Sequence, residues 1–150
     1  MIHFIIACGA EKGHEPAPAR ELYRGSAFRH FLAAAEAEAE ATRRELGVEA
    51  QVLIFSALHG LVSPETELAP YDVKVTDAEA IGPVALAATV IAAGIAHGDE
   101  AYGMLPKAYR AKLAEACELA DDVALQDVYE AAPGIGFQRG VASSLIRNAK

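Results

Sequence analysis

Ile2-His-Phe-Ile-Ile-Ala7, running directly into Cys8-Gly9, is the stretch that decides the fold. Apolar, β-branched residues follow one another with almost no polar interruption, which is the pattern of a strand buried on both faces of a parallel sheet. The segment is therefore expected at the centre of that sheet. Val52 to Phe55 repeats the pattern, Ala101 to Leu105 gives a weaker third copy, and Val123 to Val128 a fourth.

Between the first two runs, Phe28, Leu32, Ala35, Ala39 and Leu46 recur at steps of three and four, with Glu36, Glu38, Glu40 and Glu45 on the remaining surface. That spacing predicts an amphipathic helix closed by Gly47. The uncharged run Ala80 to Ala96 reads as a buried helix, opened by a Thr76/Glu79 capping box and closed by Gly98. Pro83 inside it predicts either a kink or the true first turn. Pro106 suits the start of a helix carrying Tyr109, Leu113 and Ala116, and Gly136 to Asn148 reads as a last helix.

Strands alternating with helices predict an α/β fold, a three-layer α/β/α sandwich around a four-stranded parallel sheet. Ligands of such folds bind beyond the carboxyl ends of the strands. The length of 150 residues and the 53% hydrophobic content suit one domain over 1–150 with one well-buried core.

Charge and cysteine content narrow the function classes. A net charge of −8 argues against a generally adhesive nucleic-acid binder, so any phosphate contact must be local. Two cysteines, Cys8 and Cys117, make neither a disulfide framework nor a zinc site, and the five histidines add no paired ligand spacing. No metal or other cofactor is expected. The first residues lack a basic region followed by a long apolar core, and no run reaches the ~20 apolar residues that span a bilayer, so the expectation is a cytoplasmic protein without membrane attachment.

The unusual residues fall where the predicted strands end. Strand one leads into Cys8-Gly9-Ala-Glu-Lys12 and a long loop carrying Tyr23-Arg24-Gly-Ser26-Ala-Phe28-Arg29. Strand two leads into Ser56-Ala-Leu-His59-Gly60-Leu-Val and then Pro70-Tyr71-Asp72. Strand three leads into Leu105-Pro106-Lys107, and strand four into Pro133-Gly134-Ile-Gly136-Phe-Gln138-Arg139. Convergence of four strand ends on one rim is better evidence of a site than any one of these short motifs.

Cys8 reads as a small packing residue unless a neighbouring cation lowers its thiol pKa. Lys12, Arg20, Arg24 and Arg29 suit phosphate contacts, with solvation of Lys12 or pairing of the arginines to Glu11, Glu15 and Glu21 as the competing account. Gly134 and Gly136 at a helix start suit backbone contacts to a phosphate, or only a turn of the chain. Tyr23 and Tyr71 suit stacking on a base, or plugging of the core. His59 suits a donor to a carbonyl oxygen or an acid-base role, and Asp72 is the carboxylate favoured for chemistry against a plain turn or cap role.

Taken together, Cys8-Gly-Ala-Glu-Lys12, Tyr23-Arg-Gly-Ser26-Ala-Phe28-Arg29, Ser56-Ala-Leu-His59-Gly60-Leu, Pro70-Tyr71-Asp72, Leu105-Pro106 and Gly134-Ile-Gly136 resemble a bacterial and phage family of uncharacterised domains. That family is similar to the peroxide-stress YaaA proteins and to a domain attached to archaeal tRNA-guanine-modifying enzymes. The wider group resembles uracil-DNA glycosylases, which implies a uracil-DNA-glycosylase-like fold and work on a nucleobase. Two glycosylase signatures, Gly-Gln-Asp-Pro-Tyr-His and His-Pro-Ser, are missing from this sequence.

The resemblance implies a DNA glycosylase-like hydrolase cutting the N-glycosidic bond of a modified or damaged base, as in base excision or phage and bacterial defence. Asp72 and His59 would be catalytic. Cys8, Gly9, Lys12, Tyr23, Arg24, Ser26, Arg29, Ser56, Tyr71, Gly134, Gly136 and Gln138 would bind substrate. The alternatives are a hydrolase or transferase on free nucleosides or nucleotides, and a non-catalytic nucleotide- or DNA-binding stress protein.

Overall fold

A computed structural model describes residues 1–121, 123 and 125–127 of the chain. Gly134, Gly136, Gln138 and the expected helix from Gly136 to Asn148 lie outside the described residues.

The opening apolar run forms strand β1 (Ile2–Ala7). A two-residue strand β2 (Ala17–Pro18) and a single turn α1 (Ala19–Leu22) follow, then helix α2 (Ser26–Leu46). The Phe28/Leu32/Ala35/Ala39 stripe of α2 is buried, and Gly47 closes the helix in the left-handed conformation at φ +63°. Next come β3 (Ala50–Ser56), β4 (Gly60–Val62), β5 (Glu67–Leu68), α3 (Pro83–Ala92), β6 (Glu100–Met104), α4 (Lys107–Asp121) and β7 (Leu125–Asp127).

The main sheet has the order β4-β3-β1-β6-β7, which puts β1 in the middle. β1, β3, β6 and β7 are mutually parallel neighbours, whereas β4 runs antiparallel to β3. The expected four-stranded parallel sheet is therefore corrected to a five-stranded mixed one. Gly60 is the reason: at φ +79° it turns the chain after residues 57–59 so that Gly60–Val62 folds back on Ser56–Ile54. A second, two-stranded sheet pairs β2 with β5.

Successive residues of β1 feed opposite faces. Phe4 and Ile6 join Phe28, Phe31, Leu32 and Ala35 of α2 in one core. Ile5 joins Leu53, Phe55, Leu86, Val90, Leu113 and Ala116 in a second core on the other face, under α3 and α4. Each fully buried aliphatic or aromatic side chain there contributes about 1.5–3 kcal/mol.

Helix α3 starts at Pro83, the second of the two expectations for that residue, without the expected capping box, and it ends earlier than expected. Residues 75–80 are turns and bends held by Asp77, whose backbone N–H donates to Lys74 O at 2.9 Å and whose carboxylate accepts from Lys74 N–H at 2.9 Å. Thr76 and Glu79 thus cap nothing; Gly82 is the N-cap and Pro83 the first turn. The helix stops at Ala92, and Gly98 belongs to the turn before β6. Nor is α3 buried all round: Leu86, Ala87 and Val90 face the core, while Val84 is 77% and Ile91 59% exposed. No helix among the described residues is long and apolar enough to cross a membrane.

Candidate functional site

The strand register sets the rim. Ala7 of β1 lies beside Phe55 of β3, and Ile6 lies beside Met104 of β6. Cys8, Ser56 and Leu105 consequently stand at the same carboxyl edge. Cys8 remains tied to the sheet through its N–H, which donates to Phe55 O at 3.0 Å.

The loop after β1 is anchored rather than open. An isolated antiparallel bridge joins Lys12 to Tyr23, with Gly13 N–H donating to Leu22 O and Arg24 N–H to Glu11 O, both at 2.9 Å. Ala19 and Arg20 donate backbone N–H groups to Thr66 O and Pro64 O, fastening the loop to the stretch that carries β5. A Cβ at Gly13 would stand 2.9 Å from the Arg24 guanidinium, the far end of a flexible exposed side chain that would have to shift. This folding drives Tyr23 into the core, where its ring lies 5.2 Å from that of Phe28 and is fully buried. Tyr23 thus brings its hydroxyl, not a ring face, to the rim.

Three hydroxyls meet there. Tyr71 Oη lies 2.5 Å from Tyr23 Oη and 2.7 Å from Ser56 Oγ, and the fully buried Ser56 Oγ also accepts from His59 N–H at 3.1 Å. A second pair joins this group from α4: Tyr109 Oη shares a 3.3 Å hydrogen bond with Cys8 Sγ, while its ring stands edge-on to Phe55 at 5.1 Å. Cys8 packs against both cores, the one that holds Tyr23 and the one against which Tyr109 also packs.

Burial, followed by charge at the Cys8 sulfur, pushes the Tyr23 hydroxyl up to about 12 and raises Tyr71 and Tyr109 well above the usual phenol range. The cluster is therefore made of neutral hydroxyls across physiological pH. Such groups donate and accept hydrogen bonds without carrying charge. Cys117, the other thiol, is fully buried in the second core and pushed up to about 11 by that burial, so it plays no part.

Among the described residues, a cation joins the cluster from Lys12. The Lys12 ammonium sits 4.4 Å from the centroid of the Tyr71 ring and 5.8 Å from that of Tyr23, and it donates to Ala10 O at 3.3 Å. The exposed His59 stands edge-on to the Tyr71 ring at 5.4 Å. The structure thus brings together Cys8, Lys12, Tyr23, Ser56, His59 and Tyr71 from the sequence-based set, with Gly9 beside them at 3.5 Å, measured from a virtual Cβ, from Phe28 Cβ.

Asp72 is not part of the cluster. Tyr71 and Val73 both pack inward against the cores, and Asp72 between them is exposed. Arg24, Ser26 and Arg29 lie exposed at the start of α2, whose N-cap, Gly25, offers no side-chain cap and whose first turn holds no acidic residue. Arg20, by contrast, is committed to Glu36 at 3.0 Å and Glu65 at 2.7 Å.

Tyr109 was missed as a site residue in the sequence. Its only signal was an aromatic one turn after Pro106 at a strand end, a position that points back over the sheet edge. Among the described residues no group of three or more His, Cys, Asp or Glu is placed to hold a metal ion.

Fold and site together define an α/β domain with a neutral, hydroxyl-rich cluster at the carboxyl edge of its parallel strands. The chain belongs to the family described as a family of unknown function, DUF6884, whose model it matches over residues 4–128. Neither the curated proteins nor the solved structures returned a match to it.

Proposed function

We propose that this domain handles a nucleobase, as a relative of the YaaA and uracil-DNA-glycosylase-like proteins, and that it cleaves the N-glycosidic bond of a modified or damaged base in DNA. The observation that carries the reading is the cluster of Ser56, Tyr23 and Tyr71 hydroxyls at the strand edge, flanked by one ammonium. A heterocycle offers carbonyl oxygens and ring nitrogens, and neutral donors held in a preorganised array match them without competing for charge.

In that reaction water adds to the anomeric carbon, the C–N bond breaks, and the base leaves with the bonding electrons and takes up a proton. The negative charge that grows on the departing base falls to the phenol hydroxyls and His59, and that on the sugar side is positive and needs a carboxylate. We assign that carboxylate, and the proton lost by water, to Asp72, which is exposed and adjoins Tyr71 in the chain. A base in duplex DNA must first be extruded. Lys12, Arg24 and Arg29 hold the flanking phosphates, a local contact that suits a chain of net charge −8.

A reading with a free nucleoside or nucleotide as substrate keeps the same cluster and is favoured by the acidic surface of α2, where Glu40 and Glu45 are exposed. One experiment addresses both. Wild-type protein is incubated with modified phage DNA and, separately, with nucleosides, and released bases are quantified by chromatography. Asp72→Asn is expected to slow release about 100-fold or more while leaving DNA binding within a few-fold. Release from nucleosides alone moves the reading to the small-molecule enzyme. Binding with no release from either substrate leaves a recognition protein and ends the enzyme reading.

A further inference from the structure

We infer that Ser56, Tyr71, Tyr23, Cys8 and Tyr109 form one continuous hydrogen-bonded chain that presents a single spare neutral donor to an acceptor atom of the bound ring, with Cys8 and Tyr109 as positioning residues that set its direction. The inference rests on the nucleobase reading for the identity of the ring, but not for the existence of the chain.

Counting hydrogens leads to it. Tyr23, Tyr71 and Ser56 own three hydroxyl protons, yet only two contacts join their oxygens, at 2.5 and 2.7 Å. Ser56 already accepts from His59 N–H. One proton of the three is left over whichever way the two bonds run. Tyr23 and Ser56 are both fully buried, where an unused donor costs about 1–3 kcal/mol.

The neighbouring pair offers the outlet. Cys8 packs against the core that holds Tyr23, and its sulfur bonds Tyr109 Oη at 3.3 Å, so the link to be inferred is the one between Cys8 Sγ and Tyr23 Oη. Extended through Cys8 and Tyr109, the chain has five protons for four links, so one proton is spare and any member can hold it. The members that a ligand can reach are the half-exposed Tyr71 and Tyr109. An acceptor docking at Tyr71 polarises every link toward itself, and each link strengthens the next.

The sheet explains why two remote residues are needed. Tyr23 comes from the face covered by α2 and Tyr109 from the face covered by α4, and Cys8, at the end of the middle strand, packs against the cores of both faces. A thiol suits the junction because sulfur is both a weak donor and a weak acceptor and reverses roles at little cost.

The test uses full-length protein labelled with carbon-13 at the tyrosine ζ position, whose NMR shift reports hydrogen bonding of each phenol. Tyr109→Phe and Cys8→Ala are expected to move the Tyr71 signal, although neither residue is bonded to Tyr71, while Tyr102, whose hydroxyl donates to Glu100 at 2.6 Å away from the chain, stays fixed. Cys8→Ser, which restores a donor and acceptor, should return Tyr71 toward its wild-type position. A Tyr71 signal unmoved in both Tyr109→Phe and Cys8→Ala overturns the chain. Uracil and hypoxanthine are then added to the wild type. A shift of Tyr71 that Cys8→Ala diminishes supports the donor role. If Tyr109→Phe moves Tyr71 but neither base moves anything, the chain stands and it is the nucleobase reading that falls.

Discussion

The ammonium of Lys12 lies 4.4 Å from the centre of the Tyr71 ring, so this cation of the cluster is stored on the aromatic face nearest the hydroxyls. An exposed cation–π contact contributes only about 0.5–1 kcal/mol, little enough for an anionic ligand group to draw the ammonium away. Removing the charge should therefore affect binding far more than folding.

Lys12→Gln is expected to change stability to urea by less than about 1 kcal/mol. Affinity for a short single-stranded oligonucleotide should fall, and the slope of log affinity against log salt should flatten by about 0.7, the value for one lost phosphate contact. An unchanged salt slope removes Lys12 from the phosphate contacts.

Gly60 should tolerate no side chain. A Cβ there would stand 2.6 Å from Thr89 Oγ1 and 2.9 Å from Ile81 Cδ1, at a backbone φ of +79° that already disfavours other residues. Thr89 cannot simply turn aside, because its hydroxyl donates to Leu86 O at 2.7 Å and accepts from Leu61 N–H at 3.1 Å. Gly60→Ala should cost about 3 kcal/mol by urea unfolding. A loss below about 1 kcal/mol would show that the β3–β4 hairpin yields.

At the opposite edge of the sheet, the fully buried His3 links Asp99 at 2.9 Å to Gln51 at 2.8 Å, and Gln51 donates onward to Ala93 O at 3.0 Å. The hydrogen bond from His3, then that from Ala96 N–H, pulls the Asp99 carboxyl from 3.8 down to about 2. A depressed carboxyl stabilises the folded state above its unfolded pKa, and that stability is lost as pH falls from about 4 to about 2. Asp99→Asn should be less stable than wild type at pH 7 and equal to it near pH 2, as read from urea midpoints across that range. A constant difference over the window contradicts the assignment.

The elements that were legible in the sequence are those whose pattern is long. β1 carries six residues whose apolar signal is interrupted only by His3, and α2 repeats its buried stripe over several turns before Gly47 stops it. β4 was hidden because Gly60–Val62 is too short to show a period, and its direction depends on a single positive φ. The false cap at Thr76 had the right letters, but Asp77 captured the local backbone first.

The site divides along the same line. That Cys8 and Ser56 share an edge follows from where their strands end. That Tyr71 turns inward and Asp72 outward depends on which face of an extended segment meets the core, and no periodicity in Pro70-Tyr71-Asp72 announces it. Tyr109 required the lie of α4 over the second core, which is a property of packing, not of spacing.

The Cys8–Tyr109 bond joins residues 101 positions apart, and β1 reaches its neighbours only across the intervening chain on both sides. Contacts of such long range form only after large loops have closed, so they come late and slowly as the chain folds. The phenols around Cys8 are accordingly a gauge of completion: a partly folded molecule can own α2 with its stripe of alanines and still possess no site at all.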